Sequence, residues 1–244
     1  MFKIAIIISI FLITVIAFYG YRFFRLLKIS EEIITHTIPY SLPGSASGVT
    51  LLVLGDSTAV GVGADSPDDT IAAMLAKYIG ATRVENQGVS GGVVADIASQ
   101  IAITELKEYQ YILLQIGGND MTRFHDLDTV ARDYESLIVS LPKHKYLIVM
   151  SCGNLGGAQI FPSMVGYFYE RISRSYHAKF AEIVSRHSGI YIEIFDERED
   201  DPFIREPQIY LAPDLFHPSS TGYKYWFTKV EKSLKDRKNR ETLK

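Results

Sequence analysis

A serine in the first quarter of the chain and an aspartate–histidine pair close to its end are residue types from which a nucleophilic site can be built. The apolar run Thr50–Leu54 leads directly into Gly55–Val60, so Ser57 follows a predicted strand. Asp214 and His217 stand three positions apart. A serine hydroxyl attacks an acyl group when a base takes its proton, and a carboxylate holds that base in the required tautomer. These residues therefore predict an acyl-transfer site.

The same segments also fit ordinary helix starts. Serine is a common N-cap, so Ser57 is equally typical of a turn that opens a helix. Pro218 disfavours helical geometry at the preceding residue, which places His217 in an extended segment before the last helix. Residues 218–220, Pro-Ser-Ser, would then only cap that helix. Neither segment alone distinguishes catalysis from local structure.

Two glycine-containing loops could supply hydrogen-bond donors to a reacting oxygen. Asn86–Gly92 follows the weakest predicted strand and contains Gly88, whose backbone N–H has no side chain to obstruct it. Gly117–Asp120 follows another strand and contains Asn119, whose side-chain amide is a second donor. An oxyanion hole needs two or three donors that converge on one point. Each loop alone is also typical of a plain turn.

The elements that must position these residues alternate between strand and helix from about residue 49. Four predicted strands are short apolar runs, at Thr50–Leu54, Tyr111–Ile116, Tyr146–Met150 and Ile190–Phe195, and a weaker strand is predicted at Thr82–Glu85. The predicted helices have apolar residues at helical spacing, at Thr70–Tyr78, Val93–Leu106, Leu127–Leu141, Val165–Arg186 and Tyr223–Leu234. This alternation indicates an α/β fold with a parallel sheet covered on both faces. Such a sheet binds ligands beyond the carboxyl ends of its strands, where Ser57, Gly88 and Asn119 are expected.

The four loops, in this order, resemble the SGNH hydrolase family, also called GDSL esterases and lipases. The matching segments are Gly55–Ser57, Asn86–Gly88, Gly117–Asp120 and Asp214–Pro218. The resemblance covers residues 49–235, which we expect to form one hydrolase domain. Thr58 departs from the pattern, because the family's signature has leucine at this position. It weakens the match to the signature but occupies no position with chemistry.

The resemblance implies a serine esterase that acts on carboxylic esters or thioesters through an acyl-enzyme, without a cofactor or a metal. It makes Ser57 the nucleophile, His217 the base and Asp214 the residue that orients the base. The Ser57 N–H, the Gly88 N–H and the Asn119 side chain would form the oxyanion hole. The implied fold is a flavodoxin-like three-layer sandwich with about five parallel strands. The substrate would be a small-molecule, lipid or carbohydrate ester, and the resemblance does not choose among these.

Three rival interpretations remain open at this level. Gly88–Gly92 matches the G-x-S-x-G nucleophile elbow with Ser90 as nucleophile, although the strand expected before it is short and polar. Gly55–Asp56 and Asn119–Asp120 superficially resemble the sites of metal-dependent phosphoesterases, but the six histidines are scattered along the chain. The third alternative is a binding module that kept the fold and lost turnover.

Composition favours one globular domain and argues against a nucleic-acid partner. The 244 residues are 47% hydrophobic and carry a formal net charge of -3, without the basic excess typical of nucleic-acid binders. Only the C-terminal segment is basic, and we interpret residues 236–244 as a solvated tail. The single cysteine, Cys152, excludes an internal disulfide and a multi-cysteine zinc site.

The N-terminal segment predicts a single-pass membrane anchor. No charged residue lies between Lys3 and Arg22. As a helix, this stretch spans roughly 27 Å, close to the thickness of the bilayer hydrocarbon. We therefore expect an anchor over residues 1–28 that meets the membrane through residues 4–21, followed by a connector over residues 29–48.

A cleaved leader is the alternative to an anchor. Its cleavage site would need small residues, whereas this segment has the bulky Phe18 and Tyr19 near its end. Two observations disagree about the side of the membrane on which the domain lies. The count of flanking charges favours a cytoplasmic domain. Anchored hydrolases with such leaders are more often exported, so the expectation leans towards the extracytoplasmic side.

Overall fold

The apolar runs predicted as strands form one parallel sheet. The computed structural model describes residues 2–242, with side-chain surroundings for residues 3–239. The strands are β1 (Thr50–Gly55), β2 (Arg83–Asn86), β3 (Glu108–Gln115), β4 (Lys143–Met150) and β5 (Ile190–Ile192). They lie in the order β2–β1–β3–β4–β5, and each neighbouring pair is parallel. This is the flavodoxin-like order of a doubly wound sheet, so the predicted fold class is confirmed.

Helices cover both faces of the sheet. The α-helices are α1 (Phe2–His36), α2 (Ser57–Val60), α3 (Ile71–Ile79), α4 (Ile97–Ala102), α5 (Gly118–Thr122), α6 (Leu127–Ser140), α7 (Ser163–Arg186), α8 (Pro202–Arg205), α9 (Pro207–Tyr210) and α10 (Ser220–Thr242). Short 3₁₀ turns lie at Pro67–Asp69, Val94–Asp96 and Leu155–Gly157. α4, α6 and α7 pack on one face of the sheet, and α3 and α10 pack on the other. Of the tail predicted over residues 236–244, the part up to Thr242 continues α10, and residues 243–244 lie outside the described residues.

The central strands are mostly apolar because helices bury them from both sides. All six residues of β1 are buried, as are the last four residues of β3 and of β4. β2 is polar in sequence, and its Glu85 is nevertheless buried. The Glu85 carboxylate accepts hydrogen bonds from the Tyr109 hydroxyl and the Glu105 N–H, which offset the cost of burying its charge. β5 ends at Ile192, earlier than predicted, because its partner β4 ends opposite it at Met150.

The first helix runs on through the segment expected to be a connector. α1 is continuous to His36, so residues 29–36 are helical. Its first half is exposed, as the 70% exposed side chain of Ile16 illustrates. Its second half packs on the domain, where Leu26 and Ser30 are buried. These tertiary contacts stabilise the helical conformation of the second half.

Candidate active site

A glycine and a buried glutamine hold the end of β1. Gly55 has a φ of +145°, and a Cβ at this position would lie 1.9 Å from the carbonyl oxygen of Gln115. Only glycine fits this turn. The Gln100 side chain accepts a hydrogen bond from the Gly55 N–H at 2.9 Å and donates one to the Gly55 carbonyl at 2.8 Å. These contacts fix the point from which the chain turns into Asp56 and Ser57.

Asp56 begins the short helix that carries the candidate nucleophile. Its carboxylate accepts hydrogen bonds from the Thr58 N–H and the Thr58 hydroxyl, at 2.9 and 2.8 Å, and so caps α2. Ser57 is the first residue of α2 and is buried. Backbone N–H groups in the first turn of a helix have no intrahelical partner. The Ser57 N–H can therefore serve as a donor to a bound ligand.

One tight turn within Leu211–Pro218 presents the aspartate and the histidine. Asp214 Oδ1 accepts hydrogen bonds from the Phe216 N–H and the His217 N–H, each at 3.0 Å. The Ala212 N–H donates to the His217 carbonyl at 2.8 Å and closes the turn. Leu211 and Pro218 pair as an isolated β-bridge, so the segment before α10 is not helical. This geometry agrees with the effect expected of the proline.

The structure brings the three predicted residues together in one hydrogen-bonded chain. His217 Nδ1 lies 2.6 Å from Asp214 Oδ2, and His217 Nε2 lies 2.9 Å from Ser57 Oγ. All three residues are buried. When Nδ1 donates to the carboxylate, Nε2 is left as the acceptor for the serine hydroxyl. The arrangement can therefore move a proton from Ser57 to His217.

Hydrogen bonds keep the Asp214 carboxyl ionised. Burial alone would raise its pKa, but hydrogen bonds from the His217 imidazole and from the backbone N–H groups of His217 and Phe216 outweigh burial. The pKa of Asp214 consequently lies below its usual value. An ionised carboxylate at this position orients the imidazole and stabilises its charged form.

Asp56 shows the opposite balance. Burial raises the pKa of this carboxyl to about 6. Two hydrogen bonds from Thr58 and the nearby His217 lower the pKa, but they do not outweigh burial. The buried Asp120 also raises the pKa of Asp56, because it is a nearby like charge. The folded protein therefore holds a proton on Asp56 more tightly than the unfolded chain does.

Replacing Asp56 with asparagine is expected to make thermal stability less dependent on pH. The pKa of this carboxyl is about 6 in the folded protein and about 3.9 in the unfolded chain. Its contribution to the free energy of unfolding is therefore complete below about pH 4 and is lost as the pH rises through about 6. The difference between these pKa values corresponds to about 3 kcal/mol. Asparagine keeps the acceptor for Thr58 without the charge. Melting curves should place Asp56→Asn above the wild type near pH 8, with a gap that narrows towards pH 4.5; an equal gap at both pH values would contradict this account.

Asn119 stands beside the nucleophile at the start of α5. It lines the same cavities as Ser57 and His217. Its Nδ2 donates a hydrogen bond to the Gly92 carbonyl at 2.9 Å. A side-chain amide nitrogen carries two hydrogens, so a second donor is left for a reacting oxygen. The position of Asn119 is compatible with an oxyanion donor, and that role stays a prediction.

The N–H of Gly88 is already hydrogen-bonded within its own loop. Its N–H donates to Asn86 Oδ1 at 3.0 Å, and it lines neither of the two cavities that contain Ser57. A Cβ on Gly88 would lie 3.0 Å from the Ala59 side chain and 3.1 Å from the Val60 nitrogen. Glycine therefore lets this loop approach α2 closely. To act as an oxyanion donor, the Gly88 N–H must exchange its present partner.

Two cavities meet at the nucleophile. We call the smaller one, about 60 Å³, the inner pocket; its wall includes Cys152–Leu155, Phe203 and Trp226. We call the larger one, about 300 Å³, the helix groove, because one of its walls is α1. Both cavities are also lined by Ser57, Asn119, Phe216 and His217. A molecule bound at Ser57 can thus extend in two directions.

The rival sites are less well formed. Ser90 lies in a turn, and β2 ends at Asn86, so Ser90 lacks the strand that immediately precedes a nucleophile elbow. The hydrogen-bond partner of His217 Nε2 is Ser57 and not Ser90. Within residues 2–242, no group of three His, Cys, Asp or Glu side chains is arranged to hold a metal ion.

Two parts of the site were not predicted from the sequence. Gln100 lies in a segment predicted only as a helix, and its role emerges from the fold that brings it to Gly55. The α1 wall of the helix groove lies partly in the expected connector. The apolar positions Phe23, Leu27 and Ile34, at helical spacing, were the available signal for this wall.

The sequence and the structure both match known proteins. The pattern of the GDSL-like lipase/acylhydrolase family matches residues 53–225, which include all five predicted site residues. The comparison with curated proteins finds no match. The fold is similar to a lipolytic G-D-S-L family protein from Veillonella parvula, with a TM-score of 0.59 and 18% identity over 76% of this chain and 97% of that one.

Two further solved structures show the same fold. One is a catalytic mutant of Axe2, an acetylxylan esterase from Geobacillus stearothermophilus, with a TM-score of 0.55 and 20% identity over 78% of this chain and 95% of that one. The other is TesA, with a TM-score of 0.56 and 19% identity over 77% of this chain and 98% of that one. The family match covers well over half of the sequence. The chain therefore belongs to the GDSL-like lipase/acylhydrolase family and is a serine hydrolase that acts on ester bonds.

Proposed function

We propose that this protein is a membrane-anchored esterase that cleaves carboxylic esters or thioesters through an acyl-enzyme. Ser57 is the nucleophile, His217 is the general base and Asp214 orients the base. The observation that carries the proposal is the hydrogen-bonded chain from Asp214 through His217 to Ser57, with contacts of 2.6 and 2.9 Å at the meeting point of two cavities.

In the first half of the reaction, Ser57 Oγ attacks the carbonyl carbon while His217 Nε2 takes the hydroxyl proton. The carbonyl oxygen becomes an oxyanion in the tetrahedral intermediate. The carbon–oxygen or carbon–sulfur bond to the leaving group then breaks, and His217 returns its proton to the departing alcohol or thiol. The acyl group stays on Ser57 as an ester.

In the second half, a water molecule takes the place of the alcohol. His217 removes a proton from the water as it attacks the acyl-enzyme, and the tetrahedral intermediate forms again. Collapse of this intermediate returns the proton to Ser57 Oγ and releases the carboxylic acid. The ionised Asp214 stabilises the imidazolium at both stages.

The oxyanion is stabilised by donors around Ser57. The Asn119 side chain has a free donor position beside its bond to Gly92, and the Ser57 N–H lies at the start of α2. The Gly88 N–H is the third proposed donor. It joins the other two only when it turns away from Asn86, so we assign Asn119 the larger contribution.

Hydrolysis of a short aryl ester is the direct test of this proposal. The inner pocket has room for on the order of four water molecules, which is the size of a small acyl group. We expect the full-length protein in detergent to hydrolyse p-nitrophenyl acetate. Because no step of the mechanism uses a metal, a chelator should leave kcat unchanged. Loss of activity with the chelator, restored by a divalent ion, would overturn the mechanism, and a folded protein without turnover would favour the binding module.

We propose that α1 anchors the enzyme in a membrane as an uncleaved single span. Among the described residues, Lys3–His36 is the helix long and apolar enough to cross a bilayer, and its most apolar 18-residue stretch has a mean hydropathy of 2.5. The most apolar part of this helix is not buried against the domain. A large exposed apolar surface is unfavourable in water and favourable in lipid. Because anchored hydrolases with such leaders are more often exported, we propose the extracytoplasmic side for the domain.

Membrane fractionation tests the anchor. The full-length chain is expected to stay in the membrane fraction through high salt and alkaline washes and to need detergent for release, because apolar contacts with lipid do not depend on charge. A soluble chain that lacks residues 4–21 would show that the segment is a cleaved leader. Accessibility of the domain to protease in intact cells reports its side of the membrane.

A further inference from the structure

The helix groove lies between the anchor helix and the candidate nucleophile. Its α1 wall consists of Phe23, Leu27, Ser30 and Ile34, which share one face of the helix. The facing wall is Ile160, Phe161 and Phe216, and the groove also reaches Ser57, Gly91, Asn119, Thr122 and His217. The anchor and the active site therefore share one cavity.

Aromatic contacts hold the two walls together. Phe23 stacks on Phe161 with ring centroids 6.4 Å apart, and Phe161 in turn meets Phe216 edge-to-face at 6.1 Å. The Phe216 ring also lies edge-to-face with the His217 ring, 4.9 Å away. A continuous series of rings thus runs from α1 to the catalytic histidine. The position of α1 is coupled to the site by packing.

The chemistry of the groove favours an alkyl chain. Of the lining residues that the structure describes, only His217 is ionisable. The groove has a volume of about 300 Å³, several times that of the inner pocket. Phe23, Leu27 and Ile34 are only half-buried and present apolar surface to this space. A charged or sugar group would find few hydrogen-bond partners on this wall, whereas an alkyl chain would bury apolar area.

The groove begins where the exposed apolar part of α1 ends. Phe23 follows Tyr21, the last residue of the uncharged stretch, by two positions. The stripe from Phe23 to Ile34 extends for roughly 16 Å along the helix axis. If α1 spans the membrane, the groove therefore begins roughly 3 Å along the helix axis from the end of the apolar stretch, and Ser57 is among the residues that line it.

We propose that the helix groove binds the alkyl chain of an amphiphilic ester that partitions into the membrane, so that α1 forms part of the substrate-binding site. This inference rests on the proposed esterase function. The long chain lies along Phe23, Leu27 and Ile34, and the small end of the ester enters the inner pocket. The substrate class is thus a long-chain ester drawn from the bilayer, and Leu27 is a specificity-determining residue.

The test compares chain-length preference in matched variants of the full-length protein in one detergent. The probes are p-nitrophenyl acetate as the short ester, with p-nitrophenyl decanoate and decyl acetate as the long ones. Each buried methylene is worth roughly fourfold in binding. Leu27→Trp, which fills the groove, is therefore expected to lower kcat/KM for at least one long ester tenfold or more relative to the short ester.

The matched control is Phe24→Trp, because Phe24 is 67% exposed, lies on the same helix and does not line the groove. It should keep the wild-type ratio of long-ester to short-ester kcat/KM. If Leu27→Trp loses all activity through displacement of α1, Leu27→Ala removes apolar contact without adding bulk and should lower the ratio severalfold. Hydrolysis of the acetate with an unchanged ratio in the Leu27 variants would overturn the groove assignment alone. No hydrolysis by the wild type would instead overturn the proposed function.

Discussion

Replacement of His217 by alanine is expected to lower kcat for ester hydrolysis by a factor on the order of 10⁴ to 10⁶. Its Nε2 is 2.9 Å from Ser57 Oγ, and without it the hydroxyl has no base to take its proton. Ser57→Ala should cause a loss of the same order. Because the two residues act as a unit, the double variant should be no slower than either single variant. Initial rates with p-nitrophenyl acetate measure all three.

A suitable control is His144→Ala. His144 lies near the amino end of β4, whereas the site lies at the carboxyl ends of the strands, and it contacts the Pro142 carbonyl. This variant should keep wild-type kcat. Asp214→Asn should lower kcat by a factor on the order of 10⁴, since it disturbs the tautomer of His217 and does not itself transfer the proton. Multiplicative losses in the Ser57→Ala/His217→Ala double variant would contradict the shared role of the pair.

Replacement of Asn119 by alanine is expected to lower kcat by about 100-fold or more while KM changes little. An oxyanion donor acts mainly in the transition state, and loss of one costs about 3 kcal/mol. Asn119 also donates to the Gly92 carbonyl, so the substitution removes a structural bond as well. Steady-state kinetics separate the two roles, because a loosened loop would raise KM together with lowering kcat.

The melting temperature provides the second readout for Asn119. If Asn119→Ala melts within a few degrees of the wild type and still loses kcat, the lost interaction is catalytic. Asn119→Asp is a useful companion, because it keeps the size of the side chain, removes the donor and adds a negative charge where the oxyanion forms. It should be at least as slow as Asn119→Ala. Near-normal kcat in both variants would reduce Asn119 to a turn residue.

Much of the fold follows from local sequence patterns. β1 and the later halves of β3 and β4 are continuously buried and almost entirely apolar, because a parallel sheet is buried on both faces. The rule that ligands bind at the carboxyl ends of strands then places Ser57 after β1 and Asn119 after β3, the two strands that flank the switch in strand order. Asp214 and His217 are predicted only from the four motifs taken together. Their catalytic roles stay a prediction, which the contacts of His217 with Asp214 and Ser57 support.

The parts that could not be predicted depend on contacts between distant segments. Gln100 holds the backbone of Gly55, a residue 45 positions away, and nothing in its own segment indicates that partner. The engagement of the Gly88 N–H by Asn86 is a side-chain conformation that residue types do not determine. Hydropathy correctly marks residues 4–21 as apolar, but it does not show that α1 continues and packs against the active site.

Labelling with a fluorophosphonate tests the central claim most directly. Such a probe reacts with an activated serine, whereas ordinary hydroxyls are weak nucleophiles without a paired base. The full-length protein in detergent would be labelled, digested and analysed by mass spectrometry to identify the modified residue. We predict that the label is on Ser57, and that it disappears in Ser57→Ala and in His217→Ala. Label on Ser90, or no label on the folded wild-type protein, would contradict the assignment of Ser57 as the nucleophile.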